Sequence, residues 1–457
     1  MLIESSRVVL LLALCLPAVP LSTAVHGEDS PAARGYSVLT EKATLTSDFT
    51  QRVFDQLWQV WPEPLRTKAE RATKEQRREM AFDRYGLTTR PGDDSGKPLQ
   101  YVVDEDGKWT MNCLSCHGGS VYGKVTVGAP NNRFALQTMT EEIRALKFRL
   151  GEPLSRMDLG SMVIPLGTTH GTTNAVVFGM GLMSHRDEQL NVIPKIPETF
   201  VHHDMDAPPW WNFHKKPSIY IDGFAQKGHR ALMQFMLIPE NGPDFFRDHE
   251  DDFRDVYALL DSLRAPKYEG VIDTESAERG RAAFESNCAE CHGSYGKEAT
   301  YPNRRIPLDD IGTDPVRLTA LTVAGREKYG RSWFAHADTD TPHKTETDPD
   351  GYVAPPLDGI WASPPYFHNG SVPTLWHVLH PEDRPTVWQR TDQSMDEDKV
   401  GFKIREIDRV PLTEKDPAIR RTFFDTRRFG KSNSGHNYPD QLTESEKQDV
   451  LEYLKTL

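Results

Sequence analysis

Apolar residues along the chain recur at spacings that predict helices separated by long loops. Between about residues 47 and 85, Phe49, Val53, Leu57 and Val60 form a stripe at helical spacing, and Arg66 to Arg78 reads as a charged, solvated helix face. Thr88 to Lys108 is polar and contains Gly and Pro, so a loop is expected there, leading into Trp109. Gly128-Ala129-Pro130-Asn131-Asn132 predicts a turn, Thr138 to Leu150 a helix, and residues 151–230 a long irregular stretch. Helical patterning returns near 229–236 and from Phe245 to Leu263, and Lys267 to Thr274 reads as a linker. Beyond it, Glu275 to Ser286 is helical, with Ala277, Gly280, Ala283 and Phe284 on related faces. Thr443-Glu444-Ser445-Glu446 is a capping box, in which the first side chain and the fourth each satisfy the other's backbone N–H. A terminal helix should follow, with Val450, Leu451 and Leu454 packed inward. The expected fold class is mainly α with long irregular loops.

The first residues depart from this pattern. Arg7 precedes the apolar run Val8 to Leu16, Pro17 and Pro20 break it, and Ser22-Thr23-Ala24 is a small-x-small cleavage site. Residues 1–24 therefore read as a secretory signal. The run is too short for a stable anchor, and no other segment is long and apolar enough to span a bilayer. A periplasmic or secreted protein with no membrane anchor is expected. Cys15 lies inside the run behind Leu14, where a lipoprotein signal needs a small residue, so it is read as discarded with the signal.

Composition changes this picture little: 37% hydrophobic and 26% charged residues are ordinary for a globular chain. The net charge of -13 argues against nucleic-acid binding. It would favour a basic or neutral electron donor, or serve solubility alone.

The cysteines change it more. Without Cys15 four remain, in Cys113-Leu114-Ser115-Cys116-His117 and Cys288-Ala289-Glu290-Cys291-His292. Four cysteines in an oxidising compartment could form two disulfides, and a C-x-x-C pair could be a redox dithiol or half a zinc site. A His directly after the second Cys, in both pairs, points instead to covalent attachment of two haem c groups. The thiols sit a short turn apart and add to the two haem vinyl groups, and the next residue brings its imidazole to the iron. His117 and His292 are then the proximal ligands.

Residues 354–375 read Ala-Pro-Pro-Leu-Asp-Gly-Ile-Trp-Ala-Ser-Pro-Pro-Tyr-Phe-His-Asn-Gly-Ser-Val-Pro-Thr-Leu, followed by Trp376 to Pro381. The segment resembles the bacterial dihaem cytochrome c peroxidase superfamily, where Pro-Tyr-x-His-Asp/Asn-Gly-Ser follows the second haem. It is most similar to the branch that contains the rubber oxygenases. Lys399-Val400-Gly401-Phe402, Asn433-Ser434-Gly435-His436-Asn437-Tyr438 and the Asn112-to-Gly119 segment with Pro130-Asn131 point the same way.

The resemblance implies two cytochrome c-like haem domains, residues 25–268 (with an N-terminal helical extension) and residues 269–457. One haem would be six-coordinate and transfer electrons, and the other would keep an open position for peroxide or dioxygen. His436, matching the Gly-His of the oxygenase-like branch, is the expected sixth ligand of the second haem, with Met395 a weaker rival. Glu382 stands where the peroxidases carry a ligating Met. His368 is expected near the haem edge or as a structural turn residue. Trp210 or Trp211 would relay electrons or simply pack, and Phe224 would cover the first haem. No distal residue stands out among His170, His185, His202, His203, His214 and His229. Members of the superfamily often hold a Ca2+ between the domains.

The expected function is an oxidoreductase that reduces peroxide or activates dioxygen at the first haem, with electrons relayed through the second. Its partners would be a small redox protein, as electron donor or acceptor, and a small-molecule oxidant. The alternative is a non-catalytic electron-transfer cytochrome.

Overall fold

The computed structural model describes residues 29–194, 201–336 and 344–457. The expected signal segment and Cys15 thus lie outside the described residues. Helices carry most of the regular structure, and the sheets have two or three strands.

The helical stretch expected from 47 to 85 is broken into Gln51–Gln56, a 3-10 turn Leu57–Val60, Leu65–Glu70 and Lys74–Tyr85. Pro62 and Pro64 lack the N–H that a continuous helix needs. Thr73 then starts the last helix with a reciprocal hydrogen-bond pair to Gln76. The loop expected over 88–108 holds a strand, Tyr101–Val103, which pairs antiparallel with Lys108–Met111. Phe49–Thr50 adds to the outer side of that ribbon. Phe49, Tyr101 and Trp109 pack from this sheet onto Phe54, Met139, Ile143 and Leu146, and the Leu136–Leu150 helix closes that core.

Residues 151–230 are largely irregular, as expected, but hold two helices, Arg156–Val163 and Ala175–Ser184. The second is apolar nearly all round (Ala-Val-Val-Phe-Gly-Met-Gly-Leu-Met-Ser), so no amphipathic period marks it. The Pro31–Glu41 helix lies along Glu250–Ser262, where Gly35 allows close approach and Arg34 pairs with Asp255 at 2.7 Å.

In the C-terminal half, Thr274–Asn287 crosses Glu444–Lys455. The crossing depends on Gly280, because a Cβ there would lie 1.9 Å from the Asp449 carbonyl oxygen. Phe284, Val450, Leu451 and Leu454 fill the space beside it. The capping box at Thr443 and Glu446 is present. The sequence pattern did not predict the hairpin Val387–Asp396 with Gly401–Glu406, which carries a bulge between Arg390 and Met395 and a third strand, Phe423–Asp425.

The two haem-motif halves share their cores. Val121, Ala129 and Trp211 pack with Leu357, Trp361 and Val450, and Phe246 and Phe253 belong to the same cluster as Tyr329 and Phe334. Among the described residues, no helix is long and apolar enough to cross a membrane.

Candidate haem sites

Each C-x-x-C-H motif forms one helical turn held by side chains from outside it. In the first, Asn112 Oδ1 accepts from Leu114 N at 2.9 Å, and Ser115 Oγ donates to the Gln100 carbonyl at 2.7 Å. Asn131 Nδ2 donates to the carbonyls of Ser115 and Gly86. Gly119 is required where the chain leaves the turn, since a Cβ would lie 2.1 Å from the Pro130 oxygen. In the second, Cys288 ends the Thr274–Asn287 helix and Ala289–His292 forms the turn. Gly293 follows at φ +85, with the Thr300 oxygen 2.0 Å from where a Cβ would stand. The Tyr295 hydroxyl donates to the His292 carbonyl and accepts from Leu357 N.

Both motif histidines are anchored through Nδ1. His117 Nδ1 meets the Pro208 carbonyl at 3.1 Å, and His292 Nδ1 meets the Pro355 carbonyl at 2.8 Å. A carbonyl oxygen only accepts, so each Nδ1 carries the proton and each Nε2 keeps its lone pair, the tautomer a metal ligand needs. Trp210 stacks on the His117 ring at 4.6 Å and 22°. Burial lowers both imidazoles, His117 to about 4, which keeps them neutral.

Across from His292 lies His436, with ring centres 6.2 Å apart. A metal–imidazole bond of about 2 Å plus the ring radius places two axial imidazoles on one metal roughly 6 Å apart, centre to centre. His436 sits at φ +52 after Gly435 at φ +81, and its N–H donates to the Ile311 carbonyl at 2.6 Å. Arg384 donates to the carbonyls of Asn433, Gly435 and His436 and covers the Phe367 ring. Phe367 and Tyr438 flank the imidazole at 6.1 and 5.7 Å. His436 Nδ1 is buried without a partner, and burial lowers this histidine to about 3.

Both motifs and His436 open onto one cavity of about 1280 Å³. That exceeds the roughly 300–1,000 Å³ of an ordinary small-molecule site. The residues present fit haem c. Four thiols are free in pairs at the wall, two imidazoles are held in the ligating tautomer, and a third faces the second motif. Burial pushes the Cys113 thiol up to about 11 and Cys116 and Cys288 up to about 12, the reverse of a reactive dithiol. Among the described residues there is no group of three or more His, Cys, Asp and Glu side chains placed to hold a metal ion. Neither the zinc alternative nor the Ca2+ implied by the resemblance thus has such a side-chain cluster among the described residues.

Near the first motif the wall is apolar. Cys113 packs in the cluster of Leu182, Leu232 and Met236, and Cys116 in that of Leu136, Met157, Leu166 and Phe178. The cavity reaches the surface at Leu159 and Val163, which are 53% and 82% exposed, and at Val192 and Phe235. Of the histidines considered between 155 and 230, His185 alone lines the cavity. His203 and His214 bond to backbone carbonyls, His202 to Asn174 and His229 to Glu250. No imidazole among the described residues is in ring contact with His117.

The remaining candidates divide. His368 lines the cavity, but its ring packs on Tyr352 at 4.6 Å, and burial, with Arg317 nearby, lowers it to about 3. Trp211 is buried behind the wall and donates from Nε1 to the Asp358 carbonyl at 2.7 Å, while Asn212 Nδ2 donates to the Pro356 carbonyl. A hydrogen-bonded route thus runs from His117 through residues 208–212 and 355–358 to His292. Phe224 is not at the cavity; it packs with Tyr220 and Tyr329 under Arg326. Met395 pairs with Phe402 in the hairpin and does not line the cavity either. The Pro208 and Pro355 carbonyls, Phe367 and Arg384 carry no motif, and the sequence did not mark them.

Residues 351–389 match the family model described as RoxA-like, cytochrome c-like. The matched stretch supplies the Pro355 carbonyl, Phe367, His368 and Arg384, and supports haem c as the group this site is built for. The chain is 31% identical to the uncharacterized protein y4iM of Sinorhizobium fredii (strain NBRC 101917 / NGR234), over 44% of this chain and 53% of that protein. It is 30% identical to y4iJ of the same strain, over 43% of this chain and 41% of that protein. The match thus spans about half the length of these relatives or less. Among solved structures, Kuenenia stuttgartiensis hydrazine synthase pressurized with 20 bar xenon aligns at 16% identity and a TM-score of 0.29, over 62% of this chain and 87% of that one.

Proposed function

We propose that the protein is an exported c-type dihaem oxidoreductase. Cys113, Cys116 and His117 hold the haem that meets the oxidant, and Cys288, Cys291, His292 and His436 hold a six-coordinate haem that supplies electrons. The observation that carries this reading is the asymmetry of the cavity. An imidazole faces His292 at 6.2 Å, whereas the first motif opens into a largely apolar chamber where, among the described residues, no imidazole is in ring contact with His117.

A haem held by Cys113, Cys116 and His117 would supply redox chemistry toward peroxide or dioxygen. The protein supplies the setting. The Pro208 and Pro355 carbonyls hold the proximal protons on Nδ1. The Arg156–Val163 and Ala175–Ser184 helices wall the chamber with Val176, Phe178 and Leu182, and with Leu159 and Val163 at its mouth, which offer contact to an apolar organic molecule. The apolar part of this wall suits dioxygen activation beside an organic co-substrate, and peroxide reduction would draw its acid–base group from Asp206 or His185, which line the same cavity. Trp211, behind the wall and bonded to Asp358, lies on the route for electrons between the two sites. A small redox protein outside the cytoplasm would reload them.

The test is the purified full-length holoprotein, reduced and then exposed separately to dioxygen and to hydrogen peroxide. The reading expects two haems per chain and consumption of an oxidant that His117→Ala abolishes. Two low-spin irons inert to both oxidants would establish the electron-carrier alternative instead.

A further inference from the structure

We propose that Lys216 binds a propionate of a haem in this cavity, and the proposal rests on the haem reading above. Lys216 lines the cavity, and its ammonium makes no hydrogen bond or ion pair with any described residue. Its neighbours in sequence are committed elsewhere. Lys215 pairs with both oxygens of Asp358 at 2.7 Å, and Lys227 donates to the carbonyls of Phe213 and His214.

The acid whose charge reaches Lys216 is Asp222, fully buried. Asp222 is already engaged by Arg326 at 2.8 Å and Arg317 at 3.1 Å, both 1% exposed. Two guanidinium groups therefore already claim the one carboxylate, and Lys216 forms no ion pair with it. Asp206, which lines the wall and whose Oδ1 is buried without a partner, makes no ion pair with Lys216. A part-buried ammonium on the cavity wall with no carboxylate of its own is stabilised by an anion placed in the cavity.

A haem attached through its vinyl groups keeps two carboxylate side chains, which supply such an anion. Ser218 strengthens the assignment. Its hydroxyl is buried, lines the same wall and has no partner, so a second donor stands two residues from the ammonium with Pro217 between them. A charge-assisted Lys–carboxylate contact with a hydroxyl beside it would fix the orientation of the macrocycle edge.

The experiment uses full-length holoprotein, wild type, Lys216→Gln and Lys216→Arg. Haem content per chain is measured first. Midpoint potentials at one fixed pH and the propionate bands of the resonance Raman spectrum follow. With both haems present, Lys216→Gln should lower the midpoint of one haem, because the propionate charge near it is no longer offset, and should shift that haem's propionate bands. Lys216→Arg should keep the midpoint near wild type and shift the bands. Unchanged midpoints and bands in Lys216→Gln would overturn the proposal while leaving the dihaem reading intact. If Lys216→Gln does not accumulate with haem, Lys216→Arg decides, and unchanged propionate bands there would overturn it. A wild-type chain without haem would remove both readings.

Discussion

Arg384 holds His436 without touching its ring. The guanidinium gathers the carbonyls of Asn433, Gly435 and His436, a loop that would otherwise have to keep a non-glycine residue at positive φ unaided. Removing a charged donor that serves buried acceptors costs about 1.5–3 kcal/mol. Arg384→Ala should lose about that much stability in denaturant titration and a fraction of its low-spin signal, whereas Arg384→Lys should recover part of both. Asp48 offers a residue-scale pH test away from the proposed ligands. Burial raises its carboxyl to about 7, against about 3.8 for the free group, although Met111 N–H donates to it. Between these values the folded chain keeps a proton that the unfolded chain has released. Stability therefore falls as pH rises from about 4 to about 7 and levels off above. Asp48→Asn should remove that component, roughly 1–3 kcal/mol of the pH dependence. A pH profile identical to wild type would contradict the assignment. The residue scale is also where the sequence was least informative. The anchors of His117 and His292 are backbone carbonyls, which every residue carries. In Phe367-His368, positive φ at Phe367 accompanies the arrangement that sets its ring, and not that of His368, against His436.

The two crossing helices, Thr274–Asn287 and Glu444–Lys455, were legible at the scale of elements, because the capping box and the apolar stripe are local signals. Gly280 lies at the centre of that crossing. A methyl group 1.9 Å from the Asp449 carbonyl forces the helices apart, and overpacking of this kind costs about 1–3 kcal/mol. Gly280→Ala should show that loss at unchanged haem content, and undiminished stability would mean that the crossing relaxes freely. Elsewhere the local signal failed for physical reasons. Proline interrupts the 47–85 stripe, which periodicity alone reads as continuous. The apolar Ala175–Ser184 helix has no polar face to give it a period. The outer part of the Val387–Asp396 strand is exposed and polar, so its alternation is weak.

Across the whole molecule, the two motifs share one cavity, and the hydrogen bonds proposed as a relay use residues 91 positions from His117 and 63 from His292. Such long-range pairing is invisible to spacing rules, although the five-residue motifs themselves were plain. Trp211→Phe keeps the aromatic packing and removes the hydrogen bond to Asp358. It should slow electron equilibration between the haems several-fold, as read by stopped-flow reduction, while leaving both haem spectra unchanged. An unchanged rate would take Trp211 off the route. If the two haem sites are unequal, as proposed, low-temperature EPR of the ferric holoprotein beside its His436→Ala variant reads the difference. One low-spin and one high-spin iron are expected in the wild type, with the low-spin signal lost in the variant. Two low-spin irons in the wild type, or a low-spin signal that survives in the variant, would contradict the proposal.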